Sequence, residues 1–226
     1  MEASPLFRSL GRELLDDKLL HLRHHRHPKG SLILRPEDTA KRVNIVIRGR
    51  VKLVAYNVLS DRELTLFLLT RGDMFNVASL LDGKPQDLTA YAVDEVETLS
   101  GECTLIRDWI ERHPEFNREF LPYLGERLLR ISDLASDLAL HDTGVRLANL
   151  ILRHVEGNPA GPTAVPRLIN DLSQDEIGDM IGTVRVVANR QLRHLQRDGI
   201  VQTSRGRLVV RDLQRLRDRC GQRGLS

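Results

Sequence analysis

The chain has 226 residues, enough for one large or two modest cored domains. Two cysteines, Cys103 and Cys220, exclude a disulfide framework and cannot by themselves supply the four thiolates of an iron–sulfur cluster. The net charge of +3 is uneven: residues 144–226 carry 14 arginines, no lysine and 8 carboxylates, whereas residues 1–143 are net acidic, which fits a polyanion reader attached to another module.

The first distinctive stretch is HLRHHRH, with His21, His24, His25 and His27. As a strand it puts His25 and His27 on one face, and as a helix His21 and His25. Imidazoles can ligate haem iron, although a solvent-facing entry into the first domain is the simpler reading. Residues 27–100 then read as β-rich. RVNIVIRGRVKLVAYN alternates at Val43, Ile45, Ile47, Val51, Leu53 and Ala55 around an Arg48-Gly49-Arg50 turn. A more apolar strand, ELTLFLLT, closes at Arg71-Gly72-Asp73, and LTAYAV (88–93) and VETLS (96–100) follow, separated by Asp94-Glu95. Short strands about every ten residues point to a sandwich or barrel. The piece FNVASLLDG (75–83) is too brief for a core helix and is expected to line the barrel mouth. Its Phe75, Asn76, Val77, Ala78 and Ser79, with Asp87, Leu88 and Thr89, are the candidate pocket for a small effector. In the segment ECTLI, Cys103 reads as a buried thiol.

A long helix follows. Leu121, Leu124, Leu128, Ile131, Ala135 and Leu138 alternate by three and four residues, the seam of a helix that pairs two chains. Pro122 is expected in its first turn. His141-Asp142-Thr143-Gly144 is the expected hinge. A helix from about Val145 to Val155 follows, then the Gly- and Pro-rich connector GNPAGPTAVP.

Residues 172–199 read as two short helices around a glycine turn. Ser173 and Glu176 have capping-box spacing, and Ile177 and Ile181 share an apolar face. Gly178 permits a close helix crossing, and Gly182 suits a positive φ. Val187, Leu192 and Leu195 give the second helix a buried side, while Arg185, Asn189, Arg190 and Arg193 point elsewhere. That spacing is a helix-turn-helix, with a second helix suited to the DNA major groove. IVQTSRGRLVV then reads as a hairpin with Ser204-Arg205-Gly206-Arg207 at its tip, which makes the module a winged helix. The expected DNA-binding set is Ser173, Gln174, Thr183 and Val184 at the turn, Arg185, Val186, Asn189, Arg190 and Arg193 on the helix, and Arg205 and Arg207 on the wing.

A β-barrel, a long dimer helix and a winged helix, in that order, resembles the Crp/Fnr superfamily of bacterial transcription regulators. The motifs that carry this are Pro28-Lys29-Gly30, Ile47-Arg48-Gly49-Arg50-Val51, Arg71-Gly72-Asp73, LALHDTGVRLANLIL and IGDMIGTVRVVANRQLRHL. The resemblance implies an α+β chain. A cyclic-nucleotide-binding-like jelly-roll barrel would span residues 1–113, a dimerisation helix 114–141 and a winged helix-turn-helix 142–226. It further implies a homodimer on a pseudo-palindromic operator, an effector in the barrel that repositions the reading helices, and RNA polymerase as a partner.

The sequence departs from parts of that family. Val77, Asp87 and Leu88 stand where cyclic-AMP-binding members carry a glutamate and an arginine–serine or arginine–threonine pair, and a carboxylate repels phosphate. Asn76 and Ala78 stand where the carbon-monoxide-sensing haem regulators place iron ligands, and neither can ligate iron. Val186 replaces a glutamate expected to meet cytosine, so a different half-site is expected, with Arg185 and Arg190 positioned for guanine or phosphate. A haem-based gas sensor using the histidine cluster, and a constitutive DNA binder with a vestigial pocket, are the alternatives. Enzymes are disfavoured by the lack of a Gly-rich phosphate loop, a nucleophile elbow or an HExxH. No apolar run of about 18 residues suggests a membrane span, so a cytoplasmic protein without a membrane partner is expected.

Overall fold

The computed structural model describes residues 21–155, 165–166, 168–204 and 207–220. It divides into two compact units, Met1–Arg62 with Leu66–Ile131, and Glu63–Thr65 with Ser132–Ser226.

The first unit is built on eight strands, of which only Glu63–Thr65 in the fifth are assigned to the second unit: β1 (Arg23–His27), β2 (Leu32–Leu34), β3 (Arg42–Arg48), β4 (Val51–Asn57), β5 (Arg62–Leu69), β6 (Met74–Phe75), β7 (Thr89–Ala92) and β8 (Val96–Glu102). They form two four-stranded sheets, ordered β1-β8-β3-β6 and β2-β7-β4-β5. The chain changes sheet at Asp94-Glu95, so β7 and β8 do not pair with each other. Val46, Val51, Leu53, Leu69, Phe75 and Ala90 fill the space between the sheets.

A second apolar layer covers the far face of the first sheet. It is supplied by α1 (Val77–Asp82), α2 (Cys103–Arg112) and α3 (Pro114–Leu140). Trp109, Phe116 and Phe120 are its centre, with Phe116 stacked on Phe120 at 5.1 Å and edge-on to Trp109 at 6.1 Å. This layer corrects the simple alternation expected of residues 43–47. Val43, Asn44, Ile45 and Val46 are all buried, because β3 has helices on one face and a sheet on the other. Val43 and Ile45 meet the helices, Val46 meets the opposing sheet, and Ile47 is only half-buried.

Two helix expectations are also corrected. Residues 77–82 do form a helix, and its Leu80 is fully buried in the core. What makes six residues sufficient is the C-terminal end. Gly83 closes it at φ +73°, while Arg107 donates from Nε to the Leu80 carbonyl at 2.6 Å and from Nη2 to that of Ser79 at 3.2 Å. The long helix α3 begins at Pro114, so Pro122 lies inside it and not in its first turn. The buried pair Phe116 and Phe120 anchors the earlier turns, and that contact offsets the one helical hydrogen bond a proline removes.

The second unit holds α4 (Thr143–His154), α5 (Gln174–Met180), α6 (Arg185–Arg197), the hairpin β9 (Val201–Ser204) and β10 (Arg207–Val210), and α7 (Leu213–Arg219). Leu147, Ile151, Ile177, Leu192, Leu195 and Leu216 are among its buried residues. Ala188, with no exposed surface, takes the innermost position expected of Val187, which is half-buried. The break after Leu140 falls at the expected hinge, where the Asp142 carboxylate accepts from the N–H groups of Gly144 at 2.7 Å and Val145 at 3.0 Å. Most of the Gly- and Pro-rich connector lies outside the described residues.

Candidate nucleic-acid interface and effector cavity

The helix-turn-helix is built by local chemistry. Ser173 accepts from the Glu176 N–H at 3.2 Å while Glu176 accepts from the Ser173 N–H at 2.7 Å, a complete capping box at the start of α5. A methyl group on Gly178 would stand 2.9 Å from the Thr183 carbonyl oxygen, so only glycine allows the turn to fold over α5 this closely. Gly182 holds φ +65°, which directs the chain out of α5 and into α6.

The result is a helix with one apolar and one basic face. Val186 is 77% exposed and Val184 56%. Arg185, Arg190 and Arg193 are exposed, and Asn189 is half-buried on the same side. An open groove of about 700 Å³ runs along this face, bordered by Arg185, Val186, Asn189, Arg190 and Arg193. His194, Gln196 and Arg197 border it too. Sequence reading missed these three, although Arg197 lies one turn beyond Arg193 and the spacing could have found it. Arg185 reaches back to α5, donating from Nη1 to the Asp175 carboxylate at 3.3 Å. Of the other expected contacts, Ser173 is committed to the cap, Gln174 and Thr183 are half-buried, and Arg207 is exposed at the start of β10. Arg205 lies outside the described residues.

On α3, the expected seam needs a one-position correction. Leu121, Leu128, Ile131 and Ala135 are exposed, but Leu124 and Leu138 are half-buried. Leu124 packs on the aromatic layer of its own unit, so it is not available to another chain. The outward row passes instead through Leu121, Gly125, Leu128, Ser132, Ala135 and Ala139, all exposed and again alternating by four and three residues. Around Gly125 an added methyl group would meet nothing within 4 Å.

Within the first unit lies an apolar cavity of about 450 Å³. Of the expected pocket residues, Phe75, Asn76, Val77, Ala78 and Leu88 line it. Ser79, Asp87 and Thr89 do not. Ser79 is turned into the protein by the helix α1 that sequence reading did not foresee, and is fully buried. Asp87 is exposed to solvent, and Thr89 belongs to β7 and is half-buried. The wall is completed by residues that the loop-centred reading omitted, among them Leu66 and Phe67 on β5 and Arg127, Leu128 and Ile131 on α3.

Arg127 is the notable member of that wall. Its Nη2 donates to the Asp73 carboxylate, and its guanidinium lies 5.3 Å from the Phe67 ring and 4.7 Å from that of Tyr123. Its Nε and Nη1 are buried without a hydrogen-bond partner. The Tyr123 hydroxyl is already engaged, accepting from the Met74 N–H at 2.9 Å and donating to the Met74 carbonyl at 2.7 Å. Burial, only partly opposed by the Arg127 charge, pushes the Tyr123 phenol up to about 12.

The histidines of β1 are disposed elsewhere. His24 Nε2 lies 3.0 Å from Glu97, and His27 Nε2 lies 3.0 Å from the Thr98 hydroxyl, both partners being on β8. His25 and His27 do share a face, with ring centres 6.1 Å apart. Exposed His21 borders a separate surface hollow. None of the four lines the apolar cavity, so they do not fit a haem seated there. Cys103 is buried as expected, but as the first residue of α2.

Comparison with known proteins agrees with this anatomy. Residues 24–113 match the cyclic nucleotide-binding domain, and residues 145–219 match the Crp-like helix-turn-helix domain. The chain is 30% identical over 209 residues to a global nitrogen regulator of Synechocystis sp., covering 91% of this chain and 89% of that protein. It is also 30% identical over 217 residues to the cyclic AMP receptor protein of Thermus thermophilus, covering 94% of each. Among solved structures, a CooA mutant from Carboxydothermus hydrogenoformans superposes with a TM-score of 0.78 at 22% identity, covering 96% of both chains, a likeness of fold alone.

Proposed function

This chain belongs to the Crp/Fnr family of transcription regulators, and from that premise we propose that it reads a pseudo-palindromic operator as a homodimer under control of a small effector held in its first unit. Regulators of this family bind DNA and dimerise, and they are not enzymes. The proposal divides the chain into an effector module over 1–113, a dimerisation helix over 114–141 and a DNA-binding module over 142–226. The setting is the bacterial cytoplasm, and RNA polymerase is the further partner. No helix among the described residues is long and apolar enough to cross a membrane.

The observation that carries the DNA reading is the exposed row of Arg185, Arg190 and Arg193 on a helix whose other side is locked into the core by Ala188, Leu192 and Leu195. Such a helix can enter the major groove, where an arginine grips guanine O6 and N7 and the Val186 methyl groups can pack on a thymine methyl. The exposed row on α3 supports pairing of two copies, and a two-fold dimer presents two such helices to paired half-sites. Leu128 stands in that row and also on the cavity wall, so an occupant of the cavity would be felt where the two copies meet.

Selection of operator sequences from a random duplex pool, followed by bandshift at fixed salt, tests the reading. A two-fold-symmetric site bound at nanomolar concentration is the expected outcome. Binding that never exceeds the affinity for random duplex would remove the proposal.

A further inference from the structure

The cavity described above has a polarity that restricts what can occupy it. Resting on the reading of that cavity as the effector site, we propose that its ligand is a small amphiphilic organic monoanion, an apolar chain or ring bearing one carboxylate, whose head is held by Arg127.

Three features lead there. Volume comes first: about 450 Å³ is the room of about fifteen liquid waters, enough for a body of roughly ten to fifteen non-hydrogen atoms. Second is the wall, which is built by β4, β5, α1, α3 and the residue before β7, from Leu53, Leu66, Phe67, Val77, Leu88 and Ile131 among others. A ribose or a purine would leave most of its hydroxyls and ring nitrogens unpaired against this largely apolar wall, whose other polar side chains are Asn76 and Gln86. Third is the charge. Among the described residues, Arg127 is the single charged side chain on the wall, and two of its donors are buried and unpartnered.

A guanidinium in such surroundings calls for an acceptor. Asp73 satisfies Nη2 alone, and it also accepts from the Thr70 N–H at 2.7 Å. The Tyr123 hydroxyl is held by both backbone groups of Met74, and Asn76 Nδ2 donates to the Arg42 carbonyl at 2.9 Å. Nε and Nη1 of Arg127 thus stay buried without a hydrogen-bond partner among the described residues. One carboxylate can accept from both, and charge-assisted hydrogen bonds are the strong kind. A second negative charge on the ligand would find no second cation. A dicarboxylate or a nucleotide phosphate paired with a polar base is thus disfavoured by the same wall that welcomes an aliphatic or aromatic body.

Calorimetry on the full-length chain with octanoate, 1-octanol, cyclic AMP and 2-oxoglutarate tests this. Octanoate is expected to bind saturably at one per chain, with octanol at least tenfold weaker. Arg127→Gln should abolish the preference for octanoate while leaving octanol binding in place. Because Arg127 also holds Asp73, a second variant is needed at the exposed rim: Ala78→Phe should fill the mouth and weaken octanoate at least tenfold in a chain that keeps its urea midpoint. Equal binding of octanoate and octanol, or octanoate binding untouched by either variant, overturns the proposal. If cyclic AMP or 2-oxoglutarate binds in a manner blocked by Ala78→Phe and octanoate does not, the ligand class is wrong and the effector site stands. If no probe binds while the operator is still recognised, the effector site falls together with the ligand class and only the DNA reading survives.

Discussion

Asp137, near the end of α3, and Arg153, near the end of α4, form an ion pair of 2.7 Å across the break between the two helices, with the aspartate side chain 7% exposed. The second aspartate oxygen accepts from Asn149 Nδ2 at 2.6 Å, so both carboxylate oxygens are engaged. Two donors from one face of α4 thereby fix how that helix leaves α3. A buried carboxylate so bound holds direction as well as energy, since any other crossing of the helices strands it.

Asp137→Ala is expected to destabilise the chain by about 2 kcal/mol, because Asn149 loses its acceptor and Arg153 its counter-charge. Arg153 is 38% exposed and can turn to water, which keeps the cost below that of a fully buried pair. Urea unfolding followed by circular dichroism measures it. An unchanged midpoint would show that the pair is ornamental.

Cys220 lies against this pair, and burial pushes its thiol up to about 11. Only about one thiolate in a thousand is then present at about pH 8, so alkylation should be slow in the folded chain. Burial also raises Cys103, which predicts two slow thiols and no fast one. Asp137→Ala should speed labelling of Cys220 alone, read by mass spectrometry of the digested protein. Equal acceleration at Cys103 would mean global loosening and would contradict a local hinge contact.

Arg185 is paired with Asp175 in the free chain, and DNA must take it away. Both side chains are more than half exposed, so the pair itself is worth about 0–1 kcal/mol. Asp175→Asn is expected to tighten operator binding by a few-fold, whereas Arg185→Ala should weaken it by about tenfold or more. Bandshift at several salt concentrations separates the two roles. If Arg185 touches only phosphate, its loss will flatten the salt slope without relaxing sequence preference.

The seam on α3 predicts a different failure. Leu128→Glu puts a charge on the exposed row, and sedimentation should show monomers with greatly weakened operator binding. Gly125→Leu should do likewise by blocking close approach, even though the isolated chain has open space there and a helix favours leucine over glycine by up to about 1 kcal/mol. A Gly125 variant that is more stable yet still dimeric would place the contact elsewhere.

The helix-turn-helix was legible because local chemistry makes it. Ser173 with Glu176, Gly178 and Gly182 act within a few residues of themselves, and each does what its spacing implies. The barrel was legible as strands but not as layers. Nothing local to Val43–Val46 reveals that Trp109 and Phe116, more than sixty residues on, cover one face of β3. The cavity was half legible for the same reason: Phe75 to Ala78 belong to a recognisable turn, whereas Arg127 arrives from a helix read for its leucines. Leu124 is the instructive case on that helix. A heptad row records apolarity, not its recipient, and its own domain claimed that leucine first.

Asp142 offers a test in which pH is the variable. Its carboxylate caps α4, and the N–H of Val145 holds its pKa below the ordinary aspartate value. Partial desolvation opposes this, while the N–H of Gly144 and the charges of Arg219 and Arg146 assist it. A lowered folded-state pKa means the stabilisation is complete above the unfolded value of about 4, where the carboxylate is charged in both states. Below that value the unfolded chain takes up the proton first, and the contribution fades as pH falls through the folded value. Asp142→Ala should therefore cost about 1 kcal/mol at about pH 7 and progressively less toward about pH 3. Asp142→Asn, which keeps an acceptor without the charge, should lie between the two at about pH 7 and show less of this pH dependence. Urea midpoints of the three proteins across that range measure it, and a cost that grows on acidification would assign the wrong sign to the cap.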